Sequence, residues 1–190
     1  WAVAAEPTII DVTSYGANGA DKADDADAFQ NAFDRAKTED GIEVHIPAGT
    51  YYLSKRLSVY SNTRIIATGA TMILNGSVVN ESGSILVGRH LDDYGVMCQN
   101  NSSCKHGGYT QAHDIYIDGG IWDRNDINGK TNSSVISVHH GKNITLKNLT
   151  VKNGTSHLIN LSGDDGVVVD NVTFTDSREC TNYDLPEFWA

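Results

Sequence analysis

At 190 residues the chain is long enough for one domain with a buried core. Its 24 acidic and 14 basic residues give a formal net charge of -10, which argues against a nucleic-acid backbone or an anionic membrane as partner and leaves neutral glycan compatible. Its apolar runs fall far short of the roughly 20 residues needed to span a bilayer, and Lys and Arg are scattered, without the basic patch that an acidic polysaccharide would need.

The opening residues include the small-x-small triplet Ala2-Val3-Ala4, like the end of a secretory signal, and this points to export. Ile9-Ile10-Asp11-Val12 reads as a short strand, followed by the turn-rich stretch Ser14 to Asp21. A helix is predicted over 25–37. Asp24 or Asp25 can cap it, and Phe29, Ala32, Phe33 and Ala36 fall at i, i+3, i+4 and i+7 on one apolar stripe. After Gly41 only short strands separated by Gly, Asn and Pro are predicted: 43–46, 52–53, 57–59, 63–66 and 71–74. They are too short for a sandwich and lack hairpin dipeptides at regular intervals.

An internal repeat decides the fold class. Ser134 to Val151 recurs 23 residues later as His157 to Phe174. Ile136 meets Ile159, Val138 meets Leu161, Ile144 meets Val167, Leu146 meets Val169, Asn148 meets Asn171 and Val151 meets Phe174. A degenerate earlier copy runs from Asp114 to Trp122. Such a period is one coil of a solenoid, with alternate residues turned inward and each strand stacked in parallel on the next coil. The expected fold is all-β: a right-handed parallel β-helix with an N-terminal capping α-helix. It forms a single domain over 1–190, with strand and capping helix at about 9–38, stacked coils at about 42–178 and an incomplete end at 179–190. Asn148 and Asn171 suggest an Asn ladder between coils. An open solenoid end exposes unpaired backbone, so missing residues, a partner chain or another copy are expected to complete it.

Cys98 and Cys104 share one polar loop and could close a small disulfide. Cys180 is left either as a free thiol or with a partner outside this chain. No second Cys/His pair stands at metal-ligand spacing, and Asp21 to Asp27 fails the EF-hand pattern, so neither metal nor cofactor is expected. The Asn-x-Ser/Thr sequons, among them Asn75, Asn143, Asn148 and Asn171, follow from corner Asn residues beside Thr-rich strands.

These features resemble the N-terminal half of pectate-lyase-like β-helix proteins, especially the polygalacturonase-like glycosidases and related phage tailspikes. The resemblance rests on Asp11 to Ala17, the helix, Val44-His45-Ile46-Pro47-Ala48-Gly49-Thr50-Tyr51, Gly69 to Leu74 and the two aligned coils. It implies an extracellular carbohydrate-active protein, foremost the N-terminal part of a glycoside hydrolase that uses paired carboxylates. The alternatives are a non-catalytic glycan-binding or adhesin β-helix, and a polysaccharide lyase or epimerase. The resemblance places the catalytic carboxylates on coils beyond this chain. Within it, Gly163-Asp164-Asp165-Gly166 is a look-alike of a carboxylate motif, but the repeat sets Asp164 and Asp165 at a corner opposite Gly141 and Lys142, which favours a structural role. Asp184 and Glu187, beside Phe188 and Trp189, are the other catalytic candidates.

Glycan binding is expected on the outward face of the repeated strand, where alternation turns out Ser137, His139, Asn160 and Ser162, with His140 and His157 at its ends. Asp123 and Asp126 are candidates for sugar hydroxyls. Their neighbour Trp122 occupies an inward slot and reads as core.

Overall fold

The computed structural model describes residues 6–80, 83–90, 108–126, 133–155 and 157–177. Cys98, Cys104, Cys180, Asp184 and Glu187 lie outside the described residues, and so do the expectations attached to them.

Among the described residues fifteen short strands form three parallel sheets. The six-stranded sheet holds, in spatial order, β1 (Thr8–Asp11), β2 (Ile42–His45), β5 (Thr63–Ile66), β8 (His113–Asp118), β11 (Lys142–Lys147) and β14 (Asp165–Asp170). The five-stranded sheet holds β3 (Gly49–Leu53), β6 (Ala70–Leu74), β9 (Ile121–Asp123), β12 (Thr150–Lys152) and β15 (Thr173–Thr175). The four-stranded sheet holds β4 (Leu57–Val59), β7 (Leu86–Gly88), β10 (Ile136–His139) and β13 (Ile159–Ser162). The chain visits each sheet once per coil, the winding of a right-handed parallel β-helix.

The 23-residue repeat appears as register. Ile136 pairs with Ile159 and Val138 with Leu161, Ile144 with Val167 and Leu146 with Val169, and Val151 with Phe174. The inward members of the first four coils make one continuous core that includes Val44, Ile65, Met72, Leu74, Ile117, Trp122, Ile144 and Leu146. Trp122 is fully buried between Met72 and Val151 in register, the inward slot expected for it.

Corners reverse the chain within one or two residues, and left-handed backbone makes this possible. Asn143, Asn148, Asn153, Asn171 and His140 all have φ between 51° and 58°. Asn tolerates this region because its short amide can bond locally or to a neighbouring corner. Asn171 Nδ2 donates to Asn148 Oδ1 at 2.8 Å, so the Asn ladder forms. It extends one coil further than expected, because Asn148 Nδ2 donates to Asp118 Oδ1 at 2.8 Å. That bond, followed by the Tyr116 hydroxyl, holds the Asp118 carboxyl below its ordinary value, with burial opposing.

Three different devices close the N-terminal edge. Strand β1 covers β2. The loop before the helix covers β3: Thr50 N–H donates to Gly19 O at 2.8 Å, and Asp25 N–H donates to Tyr52 O at 2.8 Å. The helix α1 (Ala26–Phe33), continued by a 3₁₀ turn over Asp34–Lys37, covers β4. Gln30 there imitates a strand, with Ser58 N–H donating to its Oε1 at 2.9 Å and its Nε2 donating to Ser58 O at 3.2 Å. Of the two capping candidates, Asp24 makes the bond, its Oδ1 accepting from Ala26 N–H at 3.0 Å. Asp25 occupies the cap position without a side-chain cap bond, its Oδ1 accepting instead from Asn18 N–H.

At the other end, the inward positions of the last described coil are open. Val167, Val169 and Phe174 are 37%, 44% and 53% exposed, although their register partners Ile144, Leu146 and Val151 are wholly buried.

Candidate functional site: the outward wall of the four-stranded sheet

Alternation along β10 and β13 turns Ile136, Val138, Ile159 and Leu161 toward the core. It leaves Ser137 beside Asn160 and His139 beside Ser162 on the outward face. Val87 on β7 and Ser58 on β4 continue the Ser137 row. The wall is uneven in depth. Ser137 and His139 are only 2% and 6% exposed, whereas Asn160 is half-buried and Ser162 exposed. Glycan binding is expected along the outward face of both strands, and the solvent-facing part is narrower, set on β13. Part of the cover is visible: Ser84 Oγ lies 2.5 Å from Ser137 Oγ. Alternation fixes the face of a side chain but says nothing about what lies over it.

His139 is buried without compensation, since among the described residues neither ring nitrogen has a hydrogen-bond partner. Burial, and then the neighbouring His140, push its imidazole below the ordinary value and hold it neutral. His140 turns the corner with φ of 54°, and its Nδ1 lies 3.0 Å from Gly108 O. His157, beyond the far end of the wall, is half-buried.

Asp164 sits at the same corner one coil on. The Gly141 N–H donates to its Oδ1 at 2.5 Å. Its Oδ2 is buried, with no partner among the described residues. Burial raises the carboxyl to about 6, against the lowering effects of the Gly141 N–H, His140 and the Ser162 backbone. The expected corner position is therefore correct, and the environment makes Asp164 an unusual corner carboxyl. Asp165 is exposed, in register with Lys142. Gln111 completes the corner: its N–H donates to His140 O at 2.9 Å, while its Oε1 is buried without a partner among the described residues. No motif marks Gln111. Only the coil register places it beside His140.

Asp123 and Asp126 lie away from this wall and are buried. Asp123 Oδ1 accepts from Asn125 N–H at 2.8 Å and from Asn153 Nδ2 at 2.6 Å, and Lys152 Nζ lies 3.4 Å from Oδ2. Asp126 Oδ2 accepts from the hydroxyls of Ser133 and Thr155, each at 3.3 Å. These bonds tie successive corners together and occupy the acceptors that a sugar hydroxyl would use. Among the described residues no group of three or more His, Cys, Asp or Glu converges as metal ligands.

Residues 9–88 match the family described as rhamnogalacturonase A/epimerase, pectate lyase-like. The structure resembles the crystal structure of PfbA, a surface adhesin of Streptococcus pneumoniae, with a TM-score of 0.67 and 26% identity over 96% of this chain and 41% of that one. It also resembles a family 28 exopolygalacturonase of Yersinia enterocolitica, with a TM-score of 0.63 and 18% identity over 91% of this chain and 39% of that one. The chain is similar to pectate-lyase-like proteins and shares the right-handed parallel β-helix fold. In sequence this β-helix is 29% identical over 187 residues to the plasmin and fibronectin-binding protein A of S. pneumoniae, covering 89% of this chain and 24% of that protein. It is 28% identical over 160 residues to the pre-neck appendage protein of Bacillus phage B103, covering 80% of this chain and 16% of that protein. The β-helix thus spans a quarter or less of the length of these two curated relatives.

Proposed function

We propose that this β-helix is an extracellular glycan-binding module, and that it holds carbohydrate against the outward wall of β10 and β13. The observation that carries the proposal is the pair of polar side chains, Asn160 and Ser162, that β13 turns toward solvent on that wall. The amide of Asn160 and the hydroxyl of Ser162 offer both donors and acceptors to sugar hydroxyls, and a net charge of -10 suits an uncharged ligand. The surface adhesin and phage appendage among its relatives support a location outside the cell. The exposed Val167, Val169 and Phe174 favour a further coil, its own or a second polypeptide's, stacked on β14 and β15.

Affinity electrophoresis of the full chain through gels containing neutral or acidic polysaccharide tests the binding. Retardation by a neutral polysaccharide, relieved about fivefold or more by Asn160→Ala with the fold intact, is expected. Unchanged mobility in every gel would refute the proposal.

A second reading, glycoside hydrolysis, is favoured by one observation. Asp164 holds its proton up to about pH 6, as a general acid must. Hydrolysis needs a second carboxyl roughly 5–9.5 Å away. The described candidates Asp123 and Asp126 are committed to corner bonds. The β-helix would therefore depend on Asp165 or on Asp184 and Glu187. Release of reducing ends that disappears in Asp164→Asn would establish this reading over the binding module.

A further inference from the structure

Where the four-stranded and six-stranded sheets meet, a half-buried carboxyl and a buried imidazole have opposite proton preferences. Asp164 is clamped through one oxygen to the Gly141 N–H, and its other oxygen is buried with no donor among the described residues. His139, on the preceding coil and in register with Ser162, buries both ring nitrogens with no partner among the described residues. A buried carboxyl without a second donor is best tolerated with its proton on, and a buried imidazole without an acceptor is best tolerated with the extra proton off. The packing is tight. A Cβ on Gly163 would lie 3.0 Å from the His140 ring, and one on Gly141 would lie 2.8 Å from Ala112 O and 3.0 Å from Asp164 Oδ1. The corner has little room to relax around a new charge.

We infer that this corner is a proton-dependent clasp between the third and fourth coils, closed when Asp164 is protonated and His139 is neutral, and weakened when either takes up charge. The inference is independent of any ligand. It makes the wall carrying Asn160 and Ser162 firmest in mildly acidic solution and looser at neutral and alkaline pH.

The signs follow from linkage. Asp164 has a raised folded value of about 6, so its contribution is complete below the ordinary 3.8 and is lost as pH rises through about 6. His139 is depressed, so its contribution is present above the ordinary imidazole value of 6.5 and is lost as pH falls through its lowered folded value. Other groups set the background. His140 is near enough to act on both, Lys142 and Asp165 face each other across β11 and β14, and His113 is paired with Asp114 on β8. Asp114 and Asp118, with folded values below 3.8, contribute pH dependence only in the strongly acidic range. Asp25, at the N-terminal cap, is raised by burial and adds a limb of the same sign as Asp164. The difference between wild type and variant therefore carries the test, not the wild-type slope.

Unfolding of the full chain by urea is measured at half-unit steps from pH 4.5 to 8. The wild-type unfolding constant should fall about three- to tenfold between pH 7.5 and pH 5 beyond any change in Asp164→Asn, the lower figure allowing for solvent screening of a partly exposed group. His139→Leu should remove the loss on the acid side. Equal slopes in wild type and Asp164→Asn would overturn the inference. If the variant fails to fold, the carboxyl carbon of Asp164 titrated by NMR in the wild type decides: a midpoint near 6 upholds the clasp and one below 4.5 refutes it.

Discussion

Replacing Arg124 by Met should destabilise the β-helix by about 2–3 kcal/mol. Arg124 follows β9 and has no exposed surface. Its Nε donates to Gly83 O at 3.0 Å, its Nη1 to Val79 O at 3.2 Å and its Nη2, more weakly, to Val78 O at 3.5 Å. Two of those acceptors belong to the 3₁₀ turn Gly76–Asn80, whose last carbonyls find no partner within so short a helix. The guanidinium thus ties that turn and Gly83 to the third coil. Methionine fills similar volume but donates nothing. Losing two good charge-assisted bonds and stranding their carbonyls costs about 3–5 kcal/mol. Burying a guanidinium itself carries a desolvation penalty, relieved in the variant, and this offsets about a third to a half of the loss. Urea unfolding followed by far-UV circular dichroism measures the difference. A loss under 1 kcal/mol would show that Arg124 fills space rather than organising the turn.

Asn148→Ala removes the middle of the Asp118–Asn148–Asn171 ladder and puts Ala at φ 55°, so it should cost about 2–3 kcal/mol in urea unfolding, whereas Asn148→Gly, which keeps the backbone relaxed, should cost about 1 kcal/mol less. Gly49→Ala would set a Cβ 2.8 Å from Gly19 Cα and 2.9 Å from Gly19 O, backbone against backbone. It should lower the melting temperature by several degrees and expose the edge of β3 to proteolysis, and an unchanged melting temperature would refute the close packing of that loop.

The fold was legible because the repeat writes its register into the sequence. Ile136 and Ile159, or Leu146 and Val169, name the inward face and the pairing partner at once. The corner Asn residues were legible for the same reason, although Asp118 extends their ladder without being an Asn. The N-terminal cap was legible as a helix but not as a mechanism: nothing in the local pattern says that Gln30 will turn its amide onto the backbone of Ser58. The candidate site was legible as a face and illegible in depth. Period two places Ser137 and His139 outward, yet Ser137 is met by Ser84, which is distant in sequence. The raised value of Asp164 has the same origin, since Gly141 and His140 reach it from the preceding coil. Asp123 and Asp126 looked available because sequence shows a carboxylate but not that Asn153, Ser133 and Thr155 already bond to it.

The account stands or falls on where carbohydrate meets the molecule. Titrating the isotopically labelled full chain with the oligosaccharide that best retards it, and following backbone amide shifts, locates the contact directly. The account predicts saturable shifts centred on Asn160, Leu161 and Ser162, reaching His139 and His140 and sparing the outward faces of the other two sheets. Saturable shifts confined to those other sheets, or no shifts at millimolar sugar, would contradict it.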